Sequence, residues 1–295
     1  MASNPVFDRF DKDLSKGEYA SIGQPQYGQY AQPQQPGMPG GQWSQAPAAG
    51  AAAYQQNLED LYNSPSATAA QTRRMTMNDV VMKSLGLFAV LVAFGAAAWF
   101  LCDRNPSLTV PFWIGGAVLG LILVFVISFK KVVSPPLIVA YAAVEGVFLG
   151  AISRTFEHAF PGVVIQAVIA TLCVFVGMYA LFFTGVIKVT ERSRKIFMMA
   201  LLGYVLFAVV NAILVWTGVL SGWGVGNNSG WGILISVFAV GLAAYSLAVD
   251  FDTIQRGVQA GLPEKYSWLM AFGLMVTVVW LYVELLRLFA RMRDN

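Results

Sequence analysis

Charged residues are scarce in this chain of 295 residues. Asp, Glu, Lys and Arg make up 12% of it, while 57% of its residues are hydrophobic. A typical soluble domain is about 25% charged, because charged and polar side chains cover most of its surface. The composition therefore excludes a soluble fold, and we expect the chain to lie in a membrane.

Residue types that carry catalytic or metal chemistry are also few. Cys102 and Cys173 are the only cysteines, too few for a disulfide scaffold and without metal-ligand spacing. The single histidine, His158, is interpreted as a solvated loop residue. The sequence has no Walker, dinucleotide-binding or zinc-binding motif. We therefore expect neither enzymatic activity nor a cofactor.

The N-terminal quarter of the chain differs from the rest. Residues 1–74 are rich in Gln, Pro, Gly and Tyr, and the first 70 carry a net charge of −3. Such a segment buries too little apolar area to offset its chain entropy, so it is expected to be a disordered cytoplasmic tail. It is either a solvated tether or a segment that binds a protein partner.

Seven apolar runs follow residue 80, each long enough to cross about 30 Å of hydrocarbon. They are Val81–Cys102, Val110–Phe129, Pro136–Ile152, Val163–Phe183, Ile196–Val219, Trp231–Phe251 and Trp268–Phe289. The runs are continuous rather than alternating, which favours helices over barrel strands. The sequence predicts an all-α fold, a polytopic bundle of seven transmembrane helices over residues 75–295.

The basic residues predict the orientation of this bundle. They occur in small groups before the first run and after the second, fourth and sixth, at 73, 74, 83, 130, 131, 188, 192, 194, 195, 256 and 265. Because cytoplasmic loops carry the excess of Lys and Arg, we expect a cytoplasmic N-terminus and an external C-terminus. Arg287, Arg291 and Arg293 argue the other way. Basic residues dispersed between apolar runs do not indicate nucleic-acid binding.

Four acids within or at the ends of the apolar runs carry most of the functional information. They are Glu145 in the third run, Asp250 and Asp252 near the end of the sixth, and Glu284 in the seventh. A charged acid facing lipid costs several kcal/mol, about 2.5–3.5 on insertion scales. We therefore expect these side chains to face the bundle interior and to mark an ion or proton path.

Local ion pairs are the alternative interpretation. Asp252 is four residues from Arg256 and Glu284 is three from Arg287, so each pair can share a helix face. Asp250 and Asp252 are two residues apart, about 200° around a helix. At most one of them can therefore join a shared site with Glu284.

Two small-residue motifs are expected to be packing seams rather than sites. Gly116 and Gly120 lie four apart in the second run, and Gly146 and Gly150 in the third. Such spacing lets helix backbones approach closely.

The acid-containing segments resemble the last two helices of the transmembrane Bax inhibitor motif family, in its actinobacterial form. They read Leu-Ala-Val-Asp-Phe-Asp-Thr-Ile at 247–254 and Trp-Leu-Tyr-Val-Glu-Leu-Leu-Arg-Leu-Phe at 280–289. The segments 143–153, 79–83 and 3–7 are similar to the same branch. The resemblance implies a bacterial plasma-membrane protein, a bundle with a central last helix, and a pH-sensitive calcium leak.

The resemblance also implies the roles of particular residues. By position, the family's paired acids fall on Asp252 and on Glu284, where the family has Asp. They would form the pH sensor and gate and a calcium contact. Asp250, an extra acid that departs from the family pattern, is added to the sensor, and Glu145, which has no assigned counterpart in the family, is expected along the ion path because it lies within an apolar run. Two carboxyls at close range share a proton, and when ionised they repel and offer oxygen ligands to a divalent cation.

The spacing leaves direct contact of Asp252 with Glu284 open. A short turn near residues 261–264 places Glu284 about 18 Å deeper than Asp252 at 1.5 Å per residue. Contact would require residues 258–273 to form an interfacial segment. Two other functions also stay open, a non-conducting adaptor that regulates a stress response or a membrane protease through the tail, and a proton-coupled transporter.

Overall fold

The computed structural model describes residues 73–130, 132–226 and 230–294. These residues form seven α-helices, each long and apolar enough to cross a membrane. The helices are α1 (Met77–Arg104), α2 (Thr109–Phe129), α3 (Pro135–Ala159), α4 (Val163–Phe183), α5 (Glu191–Trp216), α6 (Gly230–Gln259) and α7 (Tyr266–Asp294). The predicted all-α, seven-span fold is confirmed. The predicted tail lies outside the described residues except for its last two.

Local sequence signals place the helix ends. Thr76 begins α1 with a capping box, in which its hydroxyl accepts from a backbone N–H and Asp79 accepts from the Thr76 N–H. Pro135 occupies the first turn of α3, where no backbone donor is lost. Gly162, at φ 83°, and Gly261, at φ 67°, form the turns before α4 and before α7, where residues with a Cβ are strained. Connections this short make consecutive helices antiparallel.

At their C-terminal ends, three helices extend well beyond the predicted apolar runs. Helix α3 continues to Ala159, α6 to Gln259, and α7 covers Tyr266–Asp294. The added turns carry charged residues that a hydropathy pattern leaves out but that bond within the protein. In the added turn of α3, for example, Glu157 accepts from the Gly162 N–H at 2.6 Å.

Helix α7 is the core of the bundle, as predicted. It packs against α6, α1, α4 and α3. Of the 18 consecutive residues that form its most apolar stretch, 78% are buried. Phe272, Met275, Leu281 and Leu286 are fully buried along it. The last helix of the chain is therefore the one around which the others assemble.

The glycine motifs lie at helix contacts, as predicted. A Cβ on Gly146 would lie 3.0 Å from the Phe94 Cβ and 3.2 Å from the Gly95 N, so α3 can approach α1 only without one. A Cβ on Gly116 would lie 2.8 Å from the Phe148 Cβ. These contacts make α1, α2 and α3 one tightly packed unit.

Helix α5 is the most weakly attached of the seven. None of its most apolar 18 residues is buried, and its main neighbour is α6. We name the end of the bundle where α1 begins the N-terminal face and the end where α7 finishes the C-terminal face. Between these faces, α5 stands apart from α2 and α7, and the gap encloses the site described next.

Candidate functional site

A cavity of about 540 Å³ lies between α5, α6 and α7, with Val124 of α2 on its edge. Most of its wall is aliphatic, supplied by valine, alanine and leucine side chains of α5 and α7. Its polar side chains are Tyr204, Ser246, Asp250, Thr277, Glu284 and Arg287. Two of the four predicted acids therefore face one space inside the bundle.

Asp250 is the acid with the least compensation. Asp250 is 1% exposed, and its carboxyl accepts a hydrogen bond from the Thr277 side chain of α7. Its Oδ2 has no hydrogen-bond partner, and no salt bridge to Asp250 occurs among the described residues. A buried carboxylate without a nearby cation is costly, and no cation among the described residues offsets that cost at Asp250.

Glu284, in contrast, is surrounded by donors. Its Oε1 accepts from the Tyr204 hydroxyl at 2.5 Å and from the Trp280 Nε1 at 3.1 Å. Arg287 places Nη1 3.2 Å from Oε2, which is the local ion pair weighed from the sequence. The Glu284 side chain is only 4% exposed. These bonds compensate its charge, and the one from Tyr204 links α7 to α5.

The register of α7 sets Asp250 and Glu284 at two levels of the cavity. Asp250 of α6 lies opposite Thr277 of α7, and Glu284 is seven residues further along α7. Seven residues are two turns, so Thr277 and Glu284 share a face about 10 Å apart. The two acids are thus in one cavity but are not one hydrogen-bonded pair.

Asp252 lies outside this cavity and is not in contact with Glu284, the contact that the spacing had left open. Its Oδ2 is 2.8 Å from the Arg194 Nη2 of α5 and 2.8 Å from the Arg256 Nη2 on its own helix. Two residues of helix turn Asp252 about 200° away from Asp250. The described conformation therefore does not bring Asp252 and Glu284 together, and a calcium contact at either acid stays a prediction.

Glu145 is buried elsewhere, between α2 and α3. A Cβ on Gly120 would lie 2.8 Å from its Oε2, and Tyr141 hydrogen-bonds its carboxyl. Its place along an ion path stays a prediction, because Glu145 is not part of the cavity wall. No group of three or more His, Cys, Asp or Glu side chains that could hold a metal occurs within the described ranges.

A second cavity, of about 700 Å³, continues toward the C-terminal face. It shares Tyr204, Ala208, Ala212, Glu284 and Arg287 with the first. Its outer part is lined by Trp113, Phe156, Phe160, Phe207, Trp216, Trp223 and Arg291. The Glu284 cluster therefore forms the boundary between an aliphatic inner space and an aromatic outer one.

The arginines at the end of α7 are used inside the protein. Arg291 is 7% exposed and donates to the Gly232 carbonyl at 2.6 Å and to the Ser236 hydroxyl at 3.2 Å. Arg293 donates to the Phe160 and Pro161 carbonyls. Arg291 and Arg293 thus hold neighbouring elements of the protein together. Their presence at the C-terminal face therefore need not report the orientation of the bundle in the membrane.

Several of these residues were missed by the sequence reasoning. Trp280 lies one turn before Glu284, so its spacing offered a signal. Tyr204 and Arg194 are 80 and 58 residues away in sequence from the acids they bond. No local pattern connects them to those acids.

Comparison with known families gives one match. The profile of the family described as Bax inhibitor 1 like covers residues 4–294. Comparison with curated proteins gives no match.

Proposed function

The chain belongs to the Bax inhibitor 1 like family, and on that premise we propose that this multi-pass membrane protein is a pH-sensitive cation leak channel. Calcium is the proposed permeant ion, and the carboxyls of the cavity between α5, α6 and α7 are the proposed gate. No catalytic step and no cofactor is part of the proposal.

The observation that carries the proposal is the position of Asp250. Its carboxyl has no salt bridge among the described residues and faces a cavity that it shares with Glu284. Loss of its proton would place an uncompensated negative charge there, which attracts a cation. The other polar and charged groups facing this cavity are Tyr204 of α5, Ser246 of α6, and Thr277, Glu284 and Arg287 of α7.

The sign of the pH dependence follows from this arrangement. A neutral Asp250 offers a cation little, whereas an ionised one lowers the electrostatic barrier in the inner cavity. Arg287 already compensates Glu284, so Asp250 is the group whose charge changes the balance. The leak is therefore expected to increase as the pH rises.

Glu284 acts in this scheme as the latch between the two cavities. Its bond from Tyr204 ties α5 to α7 where the inner and outer spaces meet, and its bond from Arg287 lies within α7. A cation passing from one space to the other must displace this cluster. The described conformation is consequently interpreted as closed.

Calcium flux into liposomes that contain a fluorescent calcium indicator tests the proposal. The wild-type protein should admit calcium above the protein-free level, more at high than at low pH. Asp250→Asn should flatten the pH profile near its low-pH level, and Glu284→Gln should raise the flux at low pH because the latch is lost. Asp252→Asn is compared with them, since it replaces a carboxyl two residues away but outside the cavity, and its expected effect is on stability rather than on the pH profile.

Two results would contradict the proposal. One is wild-type flux equal to that of protein-free liposomes across the pH range. The other is a flux whose pH dependence is unchanged in Asp250→Asn but absent in Asp252→Asn. That result would identify Asp252, the residue expected from the resemblance, as the pH sensor.

We also propose a cytoplasmic N-terminal face in a bacterial plasma membrane. Lys130, Lys188, Arg192 and Lys265 lie at that face, whereas Arg291 at the other one is buried within the bundle. Single-cysteine labelling from outside intact cells tests this in a Cys102→Ser, Cys173→Ser background. A thiol reagent that does not cross the membrane should label Leu220→Cys but not Lys188→Cys. The reverse pattern would show that the topology is inverted.

A role as a stress-response adaptor is the second candidate, because the family match begins at residue 4, within the tail. Deletion of residues 1–70 separates the two roles. Loss of the stress phenotype with intact flux would favour the adaptor, while parallel loss of both would favour the leak.

A further inference from the structure

The gap beside α5 opens sideways as well as along the bundle. Helix α5 packs mainly on α6, and its Val205 and Val209 line the inner cavity while being largely exposed, at 48% and 51%. Val124 of α2 forms the opposite edge of this opening. The described helices thus leave a cleft between α2 and α5 through which the inner cavity faces the hydrocarbon of the bilayer.

The aliphatic half of this space is suited to hydrocarbon rather than to water. A water molecule is held in a cavity by two to four polar partners, and the walls formed by Leu201, Val205, Ala208, Val209 and Val276 offer none. An empty space of this size would forfeit the dispersion contacts of its lining. About 540 Å³ is within the range of pockets that bind small ligands.

The other half of the cleft is suited to an anionic group. Arg287 lines both cavities, its ion pair with Glu284 is made through Nη1, and 37% of its side chain remains exposed. The outer cavity has two arginines, Arg287 and Arg291, against the single acid Glu284. The net charge of its wall is positive, which favours an anion over a zwitterion.

Aromatic residues place this polar half near the level of the lipid headgroups. Trp113, Trp216 and Trp223 line the outer cavity at the C-terminal face. Tryptophan is enriched at the boundary between hydrocarbon and headgroups. The cleft therefore presents, in order from the C-terminal face inward, an aromatic rim, a cationic patch and an aliphatic channel.

We propose that this cleft is a lipid-binding site that takes one acyl chain of an anionic phospholipid from the surrounding bilayer. The acyl chain enters between α2 and α5 and lies along Val205, Ala208 and Val209. The phosphate of the lipid lies beside Arg287. The second acyl chain stays in the bilayer. This site shares the inner cavity with the proposed cation path, so a bound acyl chain would occupy space that the leak uses. Its test measures bound lipid rather than flux, so the two proposals can fail separately.

Photocrosslinking in vesicles tests the site directly. Phosphatidylglycerol and phosphatidylcholine probes, each with a diazirine in the acyl chain, are compared in wild-type protein, and the labelled residues are mapped by mass spectrometry. Adducts are expected on Val124, Val205 and Val209, several-fold more with phosphatidylglycerol. Arg287→Gln should reduce this headgroup preference to near unity.

Ala208→Trp and Leu202→Trp form the matched pair of variants. Ala208 lines both cavities, so a tryptophan there should block the cleft and remove its adducts. Leu202 is on the same helix and 71% exposed, outside the cleft, so its variant should label like the wild type. If Ala208→Trp does not fold, the comparison of the two headgroups in wild type and Arg287→Gln decides alone.

Three outcomes would overturn the proposal. The first is equal labelling by the two headgroups in the wild-type protein. The second is labelling confined to the outward residues of α5, such as Leu202 and Leu206. The third is a crosslink between two copies of the chain through the cleft, which would make it an oligomer interface.

Discussion

Asp250 and Asp252 are two residues apart in one helix, and their replacement by Asn is expected to have different effects. Asp252 holds α5 to α6 through Arg194 and also bonds Arg256, each at 2.8 Å. Asp250 faces the inner cavity and forms no salt bridge among the described residues. Asp252→Asn should therefore lower stability, while Asp250→Asn should change the pH dependence of flux.

The expected loss of stability follows from the burial of the ion pair. The Arg194 side chain is 4% exposed and that of Asp252 15%, and removing one partner of a buried pair costs about 3–5 kcal/mol. We take about 3 kcal/mol, the lower end of that range, because Asp252 keeps some exposure. For a helical domain of this size that corresponds to a fall in Tm of roughly 6–12 °C.

Thermal unfolding in detergent measures this fall, with flux recorded on the same preparations. Arg256→Gln serves as a control, because its side chain is 41% exposed and such pairs contribute about 1 kcal/mol or less. A double-mutant cycle of Asp252→Asn with Arg194→Gln should give a coupling of about 0.5–3 kcal/mol. Equal effects of Asp250→Asn and Asp252→Asn on both Tm and flux would refute the reasoning.

Three further predictions concern the helix contacts. Gly146→Ala should destabilise the α1–α3 contact by about 1–3 kcal/mol through overpacking, while Gly177→Ala, with no atom within 4 Å of the added Cβ, should not; equal Tm values for the two would contradict the seam. Tyr204→Phe removes a hydrogen bond to Glu284 worth about 1.5–3 kcal/mol and should raise calcium flux at low pH, so an unchanged flux would argue against the latch. Arg293→Gln should speed protease cleavage between α3 and α4, because it releases the Phe160 and Pro161 carbonyls, and unaltered cleavage would show that this clamp is dispensable.

Much of the fold could be predicted because it depends on local properties. The seven spans follow from apolar runs of membrane length, and the glycine seams follow from small residues four apart. The ion pairs Asp252–Arg256 and Glu284–Arg287 are set by helical spacing alone, and the structure contains both. Each of these features needs only the geometry of one helix.

The choice of acid for the cavity needed more than that geometry. Family position favoured Asp252, although a signal against it was present, since Asp252 has Arg256 one turn away and Asp250 has only Ser246 and Ile254 there. An acid with an adjacent cation can lie inside, as Glu284 does, or outside the cavity, as Asp252 does, whereas an acid among uncharged neighbours has no local partner for its charge. The contacts of Tyr204 and Arg194 depend on how α5 docks, which no single-helix pattern specifies.

The central position of α7 has a consequence for how the protein is made. Helix α7 follows the other six helices in the chain, and it supplies the surface that α1, α3, α4 and α6 pack against. These four helices are therefore synthesised before the surface they share exists, and their packing is completed only once α7 has been made. A protein truncated before residue 266 lacks more than one helix, because α1, α3, α4 and α6 then have no central helix to pack against. We expect membrane quality control to degrade such a protein.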